Sequence, residues 1–512
     1  MNNRSSLRRL TAAAAILLAP ATAASLAAQD RSPVVQQAIE HRDAGQFDAA
    51  VRLLGPYVAR TPDDVEAARV LAQSLYWLKR PDDARAVYEA TLRRHPDAAA
   101  LVLDFGRMLA ETGDRKRARA LAMPLAEDPT WGARARALLG TVAYWDGDFT
   151  KARRLLRSVV QADPSQEEAR RQLGEIAAVT APWILTGGEL RADDQPLVRR
   201  DVRVAAGVHA TPLLSLTARA GMRRVTSADS LSLDLRSVEA GVAHFAPALR
   251  LETDVVAGLR QRDGDAASWT GRGRAGLRLP RHLKVHAMME RDEYLHTVAS
   301  LRTSVMTNTT TALVTLDAPH GWLGEAAVQH TAFPDDNAVR TVYAWVLVPL
   351  TRTGNARFQM GYGLSLQHAD ESRFVLADST QPYPPGDPRF DASGVYAPYY
   401  TPAHLAAHSV LANWETRTGV VTLRAGGSYA VWATDDEPVF TTQPGDPVAQ
   451  FGFTPRALKA WTVRGGMDIA ASPDVTIVLG GEATQAAFYR VLTARAGLSW
   501  RFASAAARRA TQ

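Results

Sequence analysis

The chain has 512 residues, 46% of them hydrophobic and 22% charged, with a formal net charge of +6 and a mean hydropathy of −0.16. That balance excludes wholesale disorder and a polytopic helical membrane protein, and 35 Gly and 28 Pro without a triplet period exclude a collagen-like fibre. No cysteine is present, which removes disulfides, thiolate metal sites, Fe–S clusters and thiol catalysis together.

The first segment reads as an address. Arg4, Arg8 and Arg9 precede the apolar run Leu10–Ala19, and Ser25–Asp30 supplies small residues for cleavage. This is the pattern of a secretory signal peptide, here residues 1–28. The apolar run is too short to span a bilayer as a helix. Residues 29–180 carry 23 basic and 22 acidic side chains, and residues 181–512 carry 33 and 31. With no basic stripe to neutralise phosphates, nucleic acid is not expected as a partner.

Residues 29–180 follow a 34-residue period. Ala50, Ala84, Ala118 and Ala152 recur at that spacing, and Gly45, Gly113 and Gly147 share it, with Lys79 in the fourth slot. Pro62, Pro96, Pro129 and Pro164 follow at nearly the same interval. Gly near the end of a first helix, Ala in a second and a closing Pro resembles the tetratricopeptide repeat. The alanines are expected where two helices cross closely. The prolines are expected to stop each second helix, because Pro cannot supply the internal N–H. Four helix pairs and a closing helix near residues 165–179 follow, enough for a stable stack. Tyr76, Trp77, Tyr144 and Trp145 are expected to pack between repeats, with contact to a glycan or peptide as the alternative use.

From Trp183 the period changes to two. Leu492, Ala494, Ala496, Leu498, Trp500 and Phe502 alternate with Thr493, Arg495, Gly497, Ser499 and Arg501. Sixteen such segments are readable, most reaching the roughly 9–11 residues that a tilted strand needs to cross a bilayer. Connections after even-numbered strands are short, while those after odd-numbered strands include 293–305, 370–402 and 433–455. Segregation of loop length by end, with an even strand count, marks a transmembrane β-barrel over residues 181–502. The remaining residues 503–512 read as a disordered tail. The fold class is therefore α+β in separate domains, a helical solenoid followed by an antiparallel barrel of about sixteen strands.

Parity places Arg203, Arg219, Arg272, Arg274, Arg424, Arg464 and Arg495 on the lumen side, with Glu252, Asp254, Asp468 and Glu482. Charge is tolerable in a wet lumen and costs about 2–4 kcal/mol per basic residue on the lipid face at the midplane. These residues are expected either to brace the wall in pairs or to line a path for a hydrophilic chain. Parity slips near Ser237–Val238 and is ambiguous over 339–350. Loop 370–402 is rich in aromatics, among them Tyr383, Tyr396, Tyr399 and Tyr400, and ends at Pro402. Such rings either stack on sugars or pack the loop and the membrane-interface girdle.

The last quarter carries a family resemblance. Tyr399-Tyr400-Thr401-Pro402, then Gly452-Phe453-Thr454-Pro455-Arg456-Ala457, then the closing strand, resembles the C-terminal barrel of the outer-membrane porin family of bacterial cellulose synthases. That resemblance implies a periplasmic repeat domain joined to a sixteen-stranded outer-membrane porin for exopolysaccharide export. Its implied partners are a polysaccharide chain, outer-membrane lipid, the barrel-assembly machinery, and periplasmic or inner-membrane synthase components that dock on the repeats. Four helix pairs do not cross the periplasm, so another component would bridge to the synthase.

No catalytic constellation is visible. The 12 His form no H-E-x-x-H or other metal spacing, and no G-x-S-x-G, Walker or dinucleotide motif occurs in context. His404 and His408 on one strand stand roughly 13 Å apart, unsuited to one metal. His368 and His408 remain as residues near a loop mouth. Neither an enzyme, a metal nor a cofactor is expected. The expected function is export of a cellulose-like or related glycan through a wet lumen, with 370–402 and 433–455 as an extracellular lid. The alternatives are a general or uptake porin with a scaffolding repeat domain, and a plugged structural scaffold.

Overall fold

The computed structural model describes residues 32–194, 197–228, 230–280, 282–371, 399, 401–441, 450–485 and 490–502. The chain divides into two compact units, Met1–Val142 with Gln161–Asp163, and Ala143–Val160 with Pro164–Gln512. The expected signal peptide, residues 1–28, and the expected tail, residues 503–512, lie outside the described residues.

Nine helices are described: α1 (Pro33–Asp43), α2 (Phe47–Arg60), α3 (Val65–Trp77), α4 (Pro81–Arg94), α5 (Ala99–Glu111), α6 (Arg115–Ala122), α7 (Gly132–Asp146), α8 (Phe149–Ala162) and α9 (Glu167–Val179). The handover between paired helices is the same four times. A left-handed residue closes the first helix: Gly45 (φ 75°), Lys79 (63°), Gly113 (101°) and Gly147 (79°). The second helix then starts two residues later, at Phe47, Pro81, Arg115 and Phe149. Lys79 therefore adopts the glycine conformation that its place in the period requires. Asp114 and Asp148 accept from the backbone N–H groups of Arg117 and Lys151, satisfying donors that a helix start leaves free.

Ala50, Ala84, Ala118 and Ala152 are fully buried, where a larger side chain would force the helices apart. Tyr88 stacks on Phe105 at 5.1 Å within this core. Tyr76 Oη donates to Glu111 at 2.7 Å, from one repeat to the next, and Trp77 stacks on Phe47. Tyr144 donates to Glu175. Three of the four singled-out aromatics thus make contacts within the array. Helix α6 is only 8 residues long. Pro124 sits in the 3-10 turn Met123–Leu125 that follows it and lacks the N–H an α-helix needs there.

The strands are β1 (Trp183–Asp193), β2 (Leu197–Thr211), β3 (Leu214–Ser227), β4 (Ser232–Ala246), β5 (Leu251–Arg262), β6 (Ser268–Arg278), β7 (Leu283–Glu293), β8 (Met306–Asp317) and β9 (Leu323–Ala332). The second half holds β10 (Ala338–Arg352), β11 (Ala356–Ala369), β12 (His404–Thr418), β13 (Val421–Thr441), β14 (Gln450–Ala457), β15 (Trp461–Ala470), β16 (Val475–Gln485) and β17 (Arg490–Arg501). All pairings are antiparallel. Strand β1 pairs with both β2 and β17, and β9 with β10, so the sheet closes on itself. Strands β14 and β15 pair with successive lengths of β13. They form one wall strand interrupted at Leu458–Ala460, and the barrel has sixteen wall positions.

This corrects the expected loop 433–455. Strand β13 runs on to Thr441 and pairing resumes at Gln450. The acidic run Asp435-Asp436-Glu437-Pro438 has the composition of a turn, but its backbone groups are taken by β14. The expected connection is reduced to residues 442–449. Turns of two to five residues close one end of the barrel, from Pro212-Leu213 to Ala318–Trp322. The longer connections gather at the other end, 294–305 and 370–403 among them.

Register assigns the two faces. Val202, Met222, Val238, Val255, Leu259, Val328, Val463 and Leu492 share one face and are among the large exposed apolar residues. Trp322, Phe358, Trp414 and Trp500 lie toward the short-turn end of that face; Trp269, Tyr429 and Trp432 lie toward the other. An apolar band between two aromatic rings is a lipid-facing surface. No helix among the described residues is long and apolar enough to cross a membrane.

Candidate functional site

The opposite face of every strand looks into the lumen, where the ionisable residues converge. All seven arginines singled out by parity lie on it. Arg203 stands opposite Gly187 and Gly221, Arg219 opposite Glu239, Arg272 opposite Val256, and Arg274 opposite Asp254. Arg424 stands opposite Glu415, Arg464 opposite Glu482, and Arg495 opposite Glu189 and Gly480. Glu252, Asp254, Asp468 and Glu482 share this face.

Most of these charges brace one another. Arg203 reaches Glu189 at 3.6 Å, Arg219 reaches Glu239 at 3.4 Å, and Arg272 reaches Asp254 at 3.6 Å. Arg424 bridges Glu415 at 3.1 Å and Asp468 at 2.6 Å, tying three strands together. Arg274, Arg464 and Arg495 make no ion pair among the described residues. Four of the seven arginines therefore brace the wall, and three stand without an ion pair among the described residues.

The wall behind Arg464 and Arg495 is bare. Gly187 faces Gly497 across β1 and β17, Gly466 faces Gly480 across β15 and β16, and Gly426 continues the patch on β13. A Cβ built on Gly480 would lie 2.7 Å from Nε of Arg495, so that guanidinium runs flat along the wall where no side chain intervenes.

The sector that adjoins it beyond β1 is filled. The β7–β8 connection, residues 294–305, folds inward from the long-loop end. Leu295 and Leu301 are buried against Leu197, Val225, Leu233 and Leu235, with Leu231 and Val298 at the edge. Those four wall residues share the lumen face with Arg199 and Arg223. The loop is held by charge as well. Arg262 on β5 pairs with buried Glu293 and donates to the carbonyls of Ser300 (3.3 Å) and Leu301 (2.8 Å). Arg260 pairs with Asp292. Arg191 on β1 lies 3.0 Å from Nδ1 of His296, pinning the loop to the far side of the sector. Burial first, and the Arg191 guanidinium second, push the His296 imidazole down to about 3, so it is neutral in place. Arg199 and Arg223 flank Asp201 at 3.1 and 2.5 Å beneath it.

Parity missed this inward loop, and the loop explains the apparent slip at Ser237–Val238. Register in β4 is unbroken, with Ser237 facing inward and Val238 outward. Leu233 and Leu235 also face inward and are apolar because Leu295 and Leu301 cover them. Apolar residues at three-residue spacing (Leu295, Val298, Leu301) inside a connection were the available signal.

The aromatic loop is a different matter. Tyr383, Tyr396 and Tyr400 lie outside the described residues. Tyr399 is 2% exposed and is no platform for a passing sugar. It stacks on Phe333 at 3.9 Å, and its hydroxyl donates to Asp335 at 2.7 Å and accepts from Asn337 at 3.2 Å. Asn337 also holds the backbone of Glu371 at both its N–H and its C=O. Tyr399, with buried Thr401 and Pro402, anchors the base of the loop. His368 and His408 do not flank the lumen. Register turns them outward, His368 opposite His404 with rings 4.7 Å apart and His408 opposite Trp432.

Residues 41–101 match the tetratricopeptide repeat family model. No curated protein matches the chain. Among solved structures, one described as a bacterial polysaccharide outer membrane secretin aligns at 10% identity over 63% of this chain and 99% of its own, with a TM-score of 0.45. A pilF structure from Pseudomonas aeruginosa aligns at 17% identity over 28% of this chain and 65% of its own, TM-score 0.27. A MamA structure aligns at 21% identity over 28% and 85%, TM-score 0.26.

Proposed function

We propose that the chain is an outer-membrane export barrel through which an exopolysaccharide leaves the periplasm, with the repeats docking its periplasmic partners. One observation carries the reading: the same sixteen-position wall is apolar outside and lined with arginine and carboxylate inside. A wall of that number leaves an aqueous channel, and an inner face of exchangeable hydrogen-bonding groups suits a hydrated chain that must keep sliding. In this reading residues 1–28 are a signal peptide, 29–180 a periplasmic repeat domain, 181–502 the barrel and 503–512 a tail. The short turns then face the periplasm and the long loops face outside. Arg203, Arg219, Arg272 and Arg424 keep the wall round, and Arg274, Arg464 and Arg495 meet the chain. The barrel supplies no energy. Synthesis elsewhere pushes the chain, and the repeats recruit the synthase components that feed the mouth.

The test is single-channel recording on the refolded chain in a planar bilayer, with oligosaccharides of graded length and charge added on either side. Steady conductance that one class of sugar blocks, and that Arg464→Gln with Arg495→Gln relieves, is the expected result. A folded barrel whose conductance no glycan affects would return the chain to the general-porin reading.

A further inference from the structure

On β2, β3 and β4 the lipid-facing wall carries clustered charge where the apolar band ends. Arg200 on β2 stands directly opposite Arg224 on β3, and Arg224 stands opposite Asp234 on β4. Arg236 follows two residues along β4 on the same face. All three arginines are exposed. Each sits two residues toward the long-loop end from an exposed apolar residue: Val202, Met222 and Val238, at 60%, 64% and 58% exposure. Arg224 is engaged, with Nε and Nη2 donating to Asp234 at 2.6 and 2.5 Å. Arg200 and Arg236 have no hydrogen bond or ion pair among the described residues.

Like charges directly opposite on neighbouring strands repel. Three guanidinium groups against two carboxylates, Asp234 and the adjoining Asp263 whose N–H donates to the Asp234 carbonyl at 3.1 Å, still leave an excess of positive charge at the rim of an acyl-chain surface. Guanidinium binds phosphate through paired N–H donors, and the headgroup level is where such charge meets anionic lipid. We propose that Arg200, Arg224 and Arg236 form a site for the phosphate groups of an outer-leaflet lipid whose chains cover Val202, Met222 and Val238. A free phosphate ion satisfies the cations but leaves that apolar surface uncovered, which favours phosphate carried on a lipid. The inference rests on the barrel lying in an outer membrane and is independent of what passes through the lumen.

The experiment uses the full chain in phosphatidylcholine nanodiscs containing a minor fraction of diphosphorylated lipid A, with retained lipid counted by native mass spectrometry. Dephosphorylated lipid A is the parallel arm, and inorganic phosphate is the competitor. The expected result is preferential retention of the phosphorylated lipid, falling about tenfold in the triple variant R200S/R224S/R236S and largely kept in R200K/R236K. Equal retention of the dephosphorylated lipid, or an unaffected triple variant, overturns the site. Full displacement by millimolar inorganic phosphate overturns the lipid source. Heat-modifiable migration reads insertion separately. A barrel that inserts without discriminating lipids refutes this site alone, and a chain that never inserts refutes the membrane reading with it.

Discussion

Two sectors of one lumen are built on opposite terms. Between β2 and β8 the long-loop half is packed: the 294–305 loop lays Leu295 and Leu301 on inward leucines, and Arg262, Arg260 and Arg191 tie it down. Between β13 and β1 the wall carries five glycines and two arginines without ion pairs among the described residues. A closed sheet has one strand pattern all round, so the difference comes from what covers the inner face. Where a loop folds back, inward positions become a small hydrophobic core. Where none does, they stay small or cationic and leave room. In the export reading the open lane is therefore eccentric, running along the glycine wall and away from the loop that fills the neighbouring sector.

Removing the loop should abolish the contrast. Replacing residues 295–304 with a short Gly-Ser link leaves all wall pairings in place and exposes the inward leucines. Conductance is expected to rise by about twofold or more, since a wall of this strand number encloses an open channel when nothing fills it. Planar-bilayer recording decides it, with heat-modifiable migration confirming that the barrel still forms. An unchanged conductance would mean that the loop is not the constriction.

The reverse experiment fills the bare bank. Gly466→Trp and Gly480→Trp project two rings into the lane. A Cβ at Gly466 meets nothing closer than the Leu479 carbonyl at 3.5 Å, and one at Gly480 meets the flexible end of Arg495. The double variant should therefore fold and conduct severalfold less, an effect of pore area. The same substitution at Ala243, which faces Asp254 across β4 and β5, should do less if passage is confined to the glycine side. Equal loss at both places would break the eccentric picture.

A finer probe loosens the loop without removing it. Arg262→Met takes away the partner of buried Glu293 and the donor to two loop carbonyls. Losing one member of a buried pair costs about 3 kcal/mol, here charged to loop seating rather than to the whole sheet. Hydrogen exchange should rise in 294–305 and stay low in β2–β5. Exchange rising evenly around the barrel would assign Arg262 to the wall.

Much of this was legible in the residues, and the exceptions share a cause. The 34-residue spacing of Ala50, Ala84, Ala118 and Ala152 marks the helix crossings because close approach admits only small side chains. Alternation gives the strands and the lumen arginines because a pleated wall separates lipid from water at every step. Both rules are local. Each failure involves a segment that returns to the sheet from a distance. Leu233 and Leu235 broke the parity pattern because a loop some sixty residues onward covers them. The acidic run at Asp435 read as a turn although β14 pairs with it. For Tyr399 the residues left sugar stacking and loop packing both open, because its partners Phe333 and Asp335 lie more than sixty residues earlier in the chain. In the strand over 339–350, Trp345 and Leu347 face inward while Val346 and Val348 face outward, and a two-letter alphabet of apolar and polar cannot separate those faces.

The smallest expected effect is a pH dependence that only the packed sector should show. His296 sits at about 3 in place, against about 6.5 for a free imidazole, so the seated loop binds fewer protons than the released one. Seating is then fully favoured above about pH 6.5 and weakens as pH falls from there toward 3. At pH 5 the gap is worth about 1 kcal/mol after allowance for the partly exposed ring. Conductance should climb gently on acidification from neutral to pH 5, with the steepest change below the free imidazole value. His296→Leu keeps the apolar contact, removes the titrating group and should flatten the response, while Gly480→Trp should lower conductance without altering its pH profile. An acid response that survives His296→Leu would belong to the lumen carboxylates that line both banks, and would remove pH as a means of telling the two sectors apart.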